Sequence, residues 1–561
     1  MGTLSYDADP RLLVVTASFS TYYLYKRFEP SRPAVHAALL LGIPTLLCFY
    51  LNAQLSVLQA VGVLLSHWSL ILAFTAIYRL SPIHPLAKYP GPALAKLTKF
   101  YVAYRNARGD LYVHVRKLHQ QYGDVVRVGG SHGPNELSFN RVDALQPIYA
   151  SKTMKKGPYY DTRKQDDVNT QLDGVREFTA HAARRRPWTK ALSPVNIKQY
   201  DEVVVQKSRE LIEELAKRQG ETIDLSHWMN LYGFDFMGHL AFGREFGMLK
   251  AGKDTSGLIH VVEEGVYASG FISQFPWILP IFALVPAANK GLLTMQRMSA
   301  GFASDRTKAG AHIKDLYYYL TEDESAAQSG VRPDELIADG MLAVIAGSDT
   351  TAIVLSHFLY YMMRHPECAE HLRREIDKAF PNGEEPLDFA RLAELPYLNA
   401  CINEALRLLP PALSGLQRRV ELGSGGAMVG PYFVPEGTQV SVPMYTLHRN
   451  LQEFSPLPDT FWPDRWLTED TYVLPTGEVI SKDQVVTNKA AFVPFSLGPQ
   501  NCVGKALAQV ELRAIAAALV QRFDVRKAKE YDLESWEKDL GDAYITLRGP
   551  LPAVLTPRQP A

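Results

Sequence analysis

A chain of 561 residues with 47% hydrophobic content can bury a sizeable core, in one large domain or two or three smaller ones. Lys plus Arg and Asp plus Glu stand at 59 each, so no global field favours nucleic acid or an acidic polymer as partner. Cys48, Cys368, Cys401 and Cys502 form no CxxC pair, which points to neither a disulfide framework nor a zinc site and fits a reducing compartment.

Residues 1–80 differ from everything after them. Ala34 to Leu51 and Leu55 to Tyr78 are apolar, with His as the only potentially charged type, and each is long enough to span a bilayer. Leu12 to Tyr25 is shorter and carries hydroxyls, so it is either a third span or an interfacial segment. With three spans, Lys26, Arg27 and Arg32 fall on the same side as Arg79, Lys88 and Lys96, and the remaining chain is then cytosolic. Prolines at 82, 85, 90 and 92 exclude helix and make 81–92 a stiff hinge before a main domain over 93–561.

From about residue 100 helical spacing dominates. The clearest runs are 101–122, 175–218, 226–246, 288–320, 334–364, 367–379, 391–409 and 503–522. Val125 to Val128, Gln439 to Val442 and Ala543 to Leu547 are strand-like. The expected fold is mainly α with small β-sheets.

Several constellations carry chemistry. His181 and Arg185, four apart, share a helical face near Trp188; this is a basic helix end or an anion site. Tyr267 to Phe282 is apolar and aromatic with prolines, reading either as core or as a loop dipping into lipid, the second favoured. Ala346-Gly-Ser-Asp-Thr-Thr351 lies mid-helix, where Gly347 beside β-branched hydroxyl residues is unfavourable. A local kink or a functional demand explains it. Glu404 and Arg407 form an i,i+3 pair, solvated or partly buried beside Leu406 and Leu408. Finally, Cys502 stands in Phe495-Ser-Leu-Gly498-Pro-Gln-Asn-Cys502-Val-Gly504, ahead of an apolar helix whose N–H groups favour a thiolate. Chance would produce this spacing in roughly one chain per thousand of this length.

The run around Cys502 resembles the cysteine-ligand loop of the cytochrome P-450 family, the haem-thiolate monooxygenases, with Gln500 where the family usually has a basic residue. Its anchor, hinge and carboxy-terminal run look like those of fungal members, particularly basidiomycete ones. The resemblance implies the family's mainly helical fold and its cofactor, haem b (iron protoporphyrin IX), with Cys502 as axial iron ligand and Phe495, Gly498 and Gly504 shaping the loop. A thiolate pushes electron density onto haem iron and favours O–O cleavage. His181, Arg185, Trp188 and Arg418 resemble the family's propionate contacts. Asp349 and Thr350 match its oxygen-side helix motif, where the glycine opens a widened turn and the pair relays protons. Glu404, Arg407 and, in Phe461-Trp-Pro-Asp-Arg465-Trp, Arg465 match a buried structural network. The implied reaction oxidises a hydrophobic small molecule (terpenoid, steroid, fatty acid or aromatic) with O2. Electrons would come from an NADPH-cytochrome reductase, with cytochrome b5 as a further donor, at the endoplasmic reticulum membrane. Membrane lipid is an expected partner and nucleic acid is not. A haem-thiolate isomerase or dehydratase, or a non-catalytic membrane haem sensor, is the alternative.

Overall fold

The computed structural model describes residues 9–30, 32–51, 56–129, 135–163, 170–279, 286–310, 314–328, 330 and 332–558. Helix α1, Pro10–Phe28, starts where Asp9 accepts the Arg11 N–H at 2.9 Å. Pro33 opens a second helical run, which passes through a π-helical turn at Ala38–Gly42 into α2, Ile43–Leu51. Helix α3, Val57–Leu80, returns. A π turn releases carbonyls from the regular hydrogen-bond ladder. Residues of α3 use them: His67 Nε2 lies 3.2 Å from Leu39 O, and Trp68 Nε1 donates to Leu40 O at 2.9 Å. His67 Nδ1 also lies 3.0 Å from Ser18 Oγ of α1, so one buried histidine joins all three helical runs.

Pro33–Tyr50 and Val57–Leu80 are long and apolar enough to cross a membrane. They match the two expected stretches, although Leu55 lies outside the described residues. Lys26 at the end of α1 stands 3.6 Å from the Tyr78 ring near the end of α3, so both basic groups share one end of the bundle. Glu29 accepts from Arg419 of the main domain at 2.8 Å, which identifies that end as the domain side.

After the turns of 81–92, the chain builds one five-stranded sheet and a helical body. The sheet contains β1 (Val125–Arg127), β2 (Glu136–Phe139), β3 (Met154–Lys156), β4 (Arg418–Val420) and β5 (Gln439–Ser441), in the order β1-β2-β5-β4-β3. β2 and β5 are parallel, the other pairs antiparallel. The β3/β4 register sets Lys156 opposite Arg418.

The body's main helices are α4 (Phe178–Ala191), α5 (Leu225–Phe242), α6 (Pro333–Arg364), α7 (Pro396–Leu408) and α8 (Lys505–Arg522). At 32 residues α6 is about 48 Å long. Its Ala338–Arg364 part is apolar enough for a span but is buried inside the body, a core helix. Glycines bring α5 and α6 together: a Cβ on Gly233 would stand 2.6 Å from Ser348 O, and one on Gly347 would overlap Met237. Ser348 Oγ donates to Gly233 O at 2.9 Å across this crossing.

The expected helical runs are present, and several of them are divided. The run 101–122 breaks at Gly109, φ 75°, into Phe100–Ala107 and Leu111–Tyr122, and 175–218 splits into α4 and Asp201–Ala216. Ala543 to Leu547, expected as one strand, instead spans the turn of a hairpin of β6 (Gly541–Ala543) and β7 (Ile545–Leu547). Tyr544 at φ 82° reverses the chain, and the alternating Ala543, Ile545 and Leu547 imitate a single strand. The expected irregular loop after Tyr267 is helical at first, because the helix Leu258–Ile272 runs through Tyr267 and ends only at Ile272, before the turn that Pro276 opens. Tyr267 and Phe271 are exposed there and Phe275 is buried, while Pro280, Ile281 and Phe282 lie outside the described residues.

The α5/α6 crossing yields a test. Gly233→Ala should destabilise by about 1–3 kcal/mol through overpacking. Gly265→Ala, on an open helix face with nothing within 4 Å, should be neutral or stabilising by about 0.5–1 kcal/mol. Urea unfolding followed by far-UV circular dichroism compares the two.

Candidate active site

The Cys502 loop is held by its own backbone. Cys502 N–H donates to Phe495 O at 3.0 Å and Asn501 N–H to Gly498 O at 3.1 Å. Gly498 has φ 77°, and a Cβ there would meet Ala150 Cα at 2.8 Å, so only glycine fits. A Cβ on Gly504 would lie 4.0 Å from Cys502 Sγ. Cys502 is exposed by area, yet burial among protein atoms pushes its thiol up from the usual range; the side chain therefore faces an internal space. The Gly504 and Lys505 N–H groups and the Arg185 charge pull the other way. The thiolate-favouring helix start expected from the sequence is thus present, but burial outweighs it.

Around this loop lie cations. Arg185 of α4 donates to Asn501 O at 2.5 Å and to Asn501 Oδ1 at 2.7 Å, joining the helix to the loop. His181, one turn earlier, is buried, and burial with the nearby Lys156, Arg185 and Arg418 charges lowers its pKa to about 3, leaving the imidazole neutral. Arg418 is 1% exposed and bonds Gln417 O at 3.1 Å. Lys156, directly across the strand pair, is buried too, donates to Asp173 O at 2.6 Å, and is lowered by burial to about 7. Trp188 stands apart: its indole N–H points at Asp339 Oδ2, 3.4 Å away. Asp339 also takes Arg184 at 2.7 and 2.8 Å and the Leu172 N–H at 2.9 Å, which pins α4 to α6.

Gln500 bears on whether haem suits the site. Its side-chain nitrogen and oxygen are buried without hydrogen-bond partners among the described residues, one position before the Asn501 that Arg185 holds. A buried unsatisfied amide costs about 1–3 kcal/mol. A planar dianion bearing two carboxylates would answer both the amide and the cations, so the residues present fit haem propionates.

On α6, Leu342, Ala346 and Thr350 form a stripe at four-residue spacing that is more open than the flanking Val344, Ser348 and Thr351, so this face also borders an internal space. Thr350 Oγ1 donates to Ala346 O at 2.6 Å. The expected widened turn is not there: the helix is continuous, and Gly347 serves the close crossing with Met237. Asp349 is buried and ion-paired with Arg548 at 3.0 Å; Arg548 also bonds Ser226 at 3.0 Å and Asn230.

Behind the loop, Glu404 and Arg407 of α7 are fully buried and paired at 2.7 and 2.8 Å, and Arg465 reaches Glu404 at 3.1 Å. Trp462 N–H and Trp466 Nε1 add bonds at 3.0 and 2.9 Å. The two arginines hold Glu404 far down, at about 2, although burial alone would raise it. Burial lowers Arg465 to about 10, which still leaves it charged at neutral pH. His448 carries this network to the loop: Nδ1 lies 3.2 Å from Arg407 O, and Nε2 accepts the Val493 N–H at 3.1 Å. Burial and Arg407 lower His448 to about 3, in keeping with a neutral ring that donates at one nitrogen and accepts at the other.

Sequence reading missed Lys156, Arg548 and His448. Only Lys156 left a signal: in a short strand, Lys155 and Lys156 must face opposite ways, so one of them turns inward.

The family profile described as Cytochrome P-450 matches residues 90–549. A cytochrome P-450 monooxygenase of Fusarium pseudograminearum is 33% identical over 486 residues, covering 86% of this chain and 84% of its own. One from Penicillium fellutanum is 30% identical over 556 residues, 98% of this chain and 90% of its own. Tryprostatin B 6-hydroxylase of Neosartorya fischeri is 31% identical over 490 residues, 85% and 83% of the two chains.

Glu404→Gln should leave two buried arginines short of a counter-charge and destabilise by about 3–5 kcal/mol at pH 7. Because the folded pKa is depressed, the ionised carboxylate's contribution is fully present above the unfolded value near 4.3 and is lost as pH falls towards about 2. Unfolding midpoints measured against pH should therefore differ between wild type and variant above pH 4.3 and converge below it.

Proposed function

The chain belongs to the cytochrome P-450 family, an oxidoreductase family of monooxygenases that uses haem b held by a cysteine thiolate, and from that premise we propose that Cys502 is its iron ligand and that it hydroxylates or otherwise oxidises a hydrophobic small molecule. Family membership implies O2, a hydrophobic substrate and a reductase partner. We assign the electrons to an NADPH-cytochrome reductase, with cytochrome b5 as a second donor, and the substrate to fungal secondary metabolism, in which a named relative hydroxylates tryprostatin B.

The observation that carries the reading is the cation group of buried Lys156 and Arg418 with half-buried Arg185, flanked by neutral His181 and the unsatisfied Gln500 amide, next to the cysteine loop. These side chains would hold the propionates, Phe495, Gly498 and Gly504 would shape the loop, and Trp188 would position α4 through Asp339. Haem, when bound, supplies the redox iron at which O2 is activated. Thr350 Oγ1, on the open stripe of α6, would hold a proton next to that space, and Asp349, kept in place by Arg548, would help relay protons to it from water. Glu404, Arg407 and Arg465 would fix the loop from behind through His448. The names of the relatives, monooxygenases and a hydroxylase, weigh against an isomerase, dehydratase or non-catalytic sensor.

Apolar helices near the amino end fit a membrane anchor. We extend this to a three-helix anchor over 1–80 in the endoplasmic reticulum membrane, with α1 as third span, 81–92 as hinge, 93–561 as cytosolic catalytic domain, and bilayer lipid as partner. Polar side chains inside a membrane are expensive unless paired, and the Ser18, His67 and Leu39 contact pairs α1 with both other runs. An amino-terminal epitope should then react with antibody only after the microsomes are permeabilised; reaction in sealed microsomes would leave two spans.

With reductase and NADPH, the wild type should couple oxygen uptake to product. Thr350→Ala should consume NADPH and O2 at a comparable rate while product per NADPH falls about tenfold or more, the size of a general acid contribution. Unchanged coupling would remove Thr350 from proton handling, and absence of any reductase-dependent oxygen uptake in the wild type would overturn the monooxygenase reading.

A further inference from the structure

Beyond the strand pair that carries Lys156 and Arg418 lies a cavity of about 80 Å3. Gly415 and Gln417, just before Arg418 in the chain, form part of its wall, with Ser414, Tyr159, Asp542 and Tyr544. The cavity thus shares a wall with the proposed haem site. On the far side of the β6/β7 hairpin a second, largely apolar cavity of about 240 Å3 is lined by Tyr267, Phe271, Ala543 and Leu547, and Asn106 borders both. Tyr267 and Phe271 are exposed, so the hairpin separates an apolar outer mouth from an inner chamber whose lining includes Glu136 and Asp542.

Asp542 is the charged group of that hairpin. It is 2% exposed, and its described partners are the Ser414 hydroxyl and the Tyr544 N–H, neither of them cationic. A bulky residue at positive φ is rare and strained. At the hairpin tip, Tyr544 at φ 82° brings its N–H to Asp542 and stacks its ring on Tyr159 at 5.8 Å, edge-on to Tyr160 at 6.0 Å.

Neighbouring charges are otherwise engaged. Glu136, the other carboxylate on the wall, accepts from Gln417 at 2.7 Å and Ser441 at 3.4 Å and feels the Lys99 charge. Arg163 lies over the Tyr544 ring at 4.7 Å but pairs with Asp173 at 3.4 Å and bonds Ser269. His114 is bonded to Tyr101 at 2.7 Å, and burial lowers its pKa, keeping it neutral. Burial pushes the Asp542 carboxyl up to about 6, the response of a carboxylate that lacks a cation. A cation arriving there would gain the carboxylate away from bulk water.

Resting on the haem-thiolate reading above, we propose that Asp542, positioned by Ser414 and Tyr544, determines specificity by taking the protonated nitrogen of an amine-bearing apolar substrate. The test uses the full-length haem-loaded enzyme and two probes of equal shape: N,N-dimethyl-2-(1-naphthyl)ethylamine, whose tertiary amine is a poor iron ligand, and its uncharged isostere 1-(3-methylbutyl)naphthalene. Titration of the haem spin-state shift should give the amine at least about tenfold tighter binding than the isostere in the wild type. Asp542→Asn should abolish that preference while leaving isostere binding unchanged. Ser414→Ala, the gentler change, should reduce the preference in the same direction. Equal binding of the two probes by the wild type, no measurable binding of the amine, or a loss in Asp542→Asn that falls equally on both probes would overturn the assignment. Before any probe is added, the carbon monoxide spectrum tests the haem-thiolate reading separately.

Discussion

Two basic side chains stand face to face inside this protein. Lys156 and Arg418 are cross-strand partners in a buried sheet, with Arg185 nearby. Like charges directly opposite destabilise a strand pair, and removing each from water costs several kcal/mol more. Carbonyl oxygens answer only part of that cost, as Lys156 bonds Asp173 O and Arg418 bonds Gln417 O. A ligand that is itself doubly negative would turn this liability into a binding site. Haem brings two carboxylates, so the arrangement is comprehensible once the cofactor is counted as part of the fold.

The cysteine loop shows the same dependence on its surroundings. Its tight path rests on Gly498, and its position on a chain of contacts from Glu404 through Arg407 and His448 to the Val493 backbone. The buried carboxylate is surrounded by two arginines, a backbone N–H and an indole, so its own charge is fully met. Such a network adds less to stability than its count of bonds suggests, because desolvation offsets the attraction. Its value is geometric: it fixes the sulfur from behind while α4, through Arg185 and Asn501, fixes it from the side.

Legibility in the sequence followed the range of the interactions. Cys502, Gly498 and Gly504 were readable because a tight loop fixes residue types at fixed spacing, and the i,i+3 pair of Glu404 and Arg407 because one helix carries both. Lys156 and Arg418 lie 262 positions apart in the chain and meet only through strand register, so the pairing was invisible until the sheet formed. Gly347 was read as opening a turn, whereas its role is set by Met237 of another helix. Tyr544 was absorbed into an apparent strand because a reversal of one residue leaves the apolar alternation on either side intact. The anchor was legible as apolar length, but the part of α1 in it depends on His67, a residue that hydropathy treats only as an interruption.

The account turns on the sulfur of Cys502 holding iron. The most direct measurement is the absorption spectrum of the dithionite-reduced, carbon monoxide-bound full-length protein, beside that of Cys502→His. The wild type should show the far-red-shifted Soret band of a thiolate ligand, and the variant should lose it. A wild-type spectrum without that band, or a variant that keeps it, would contradict the account.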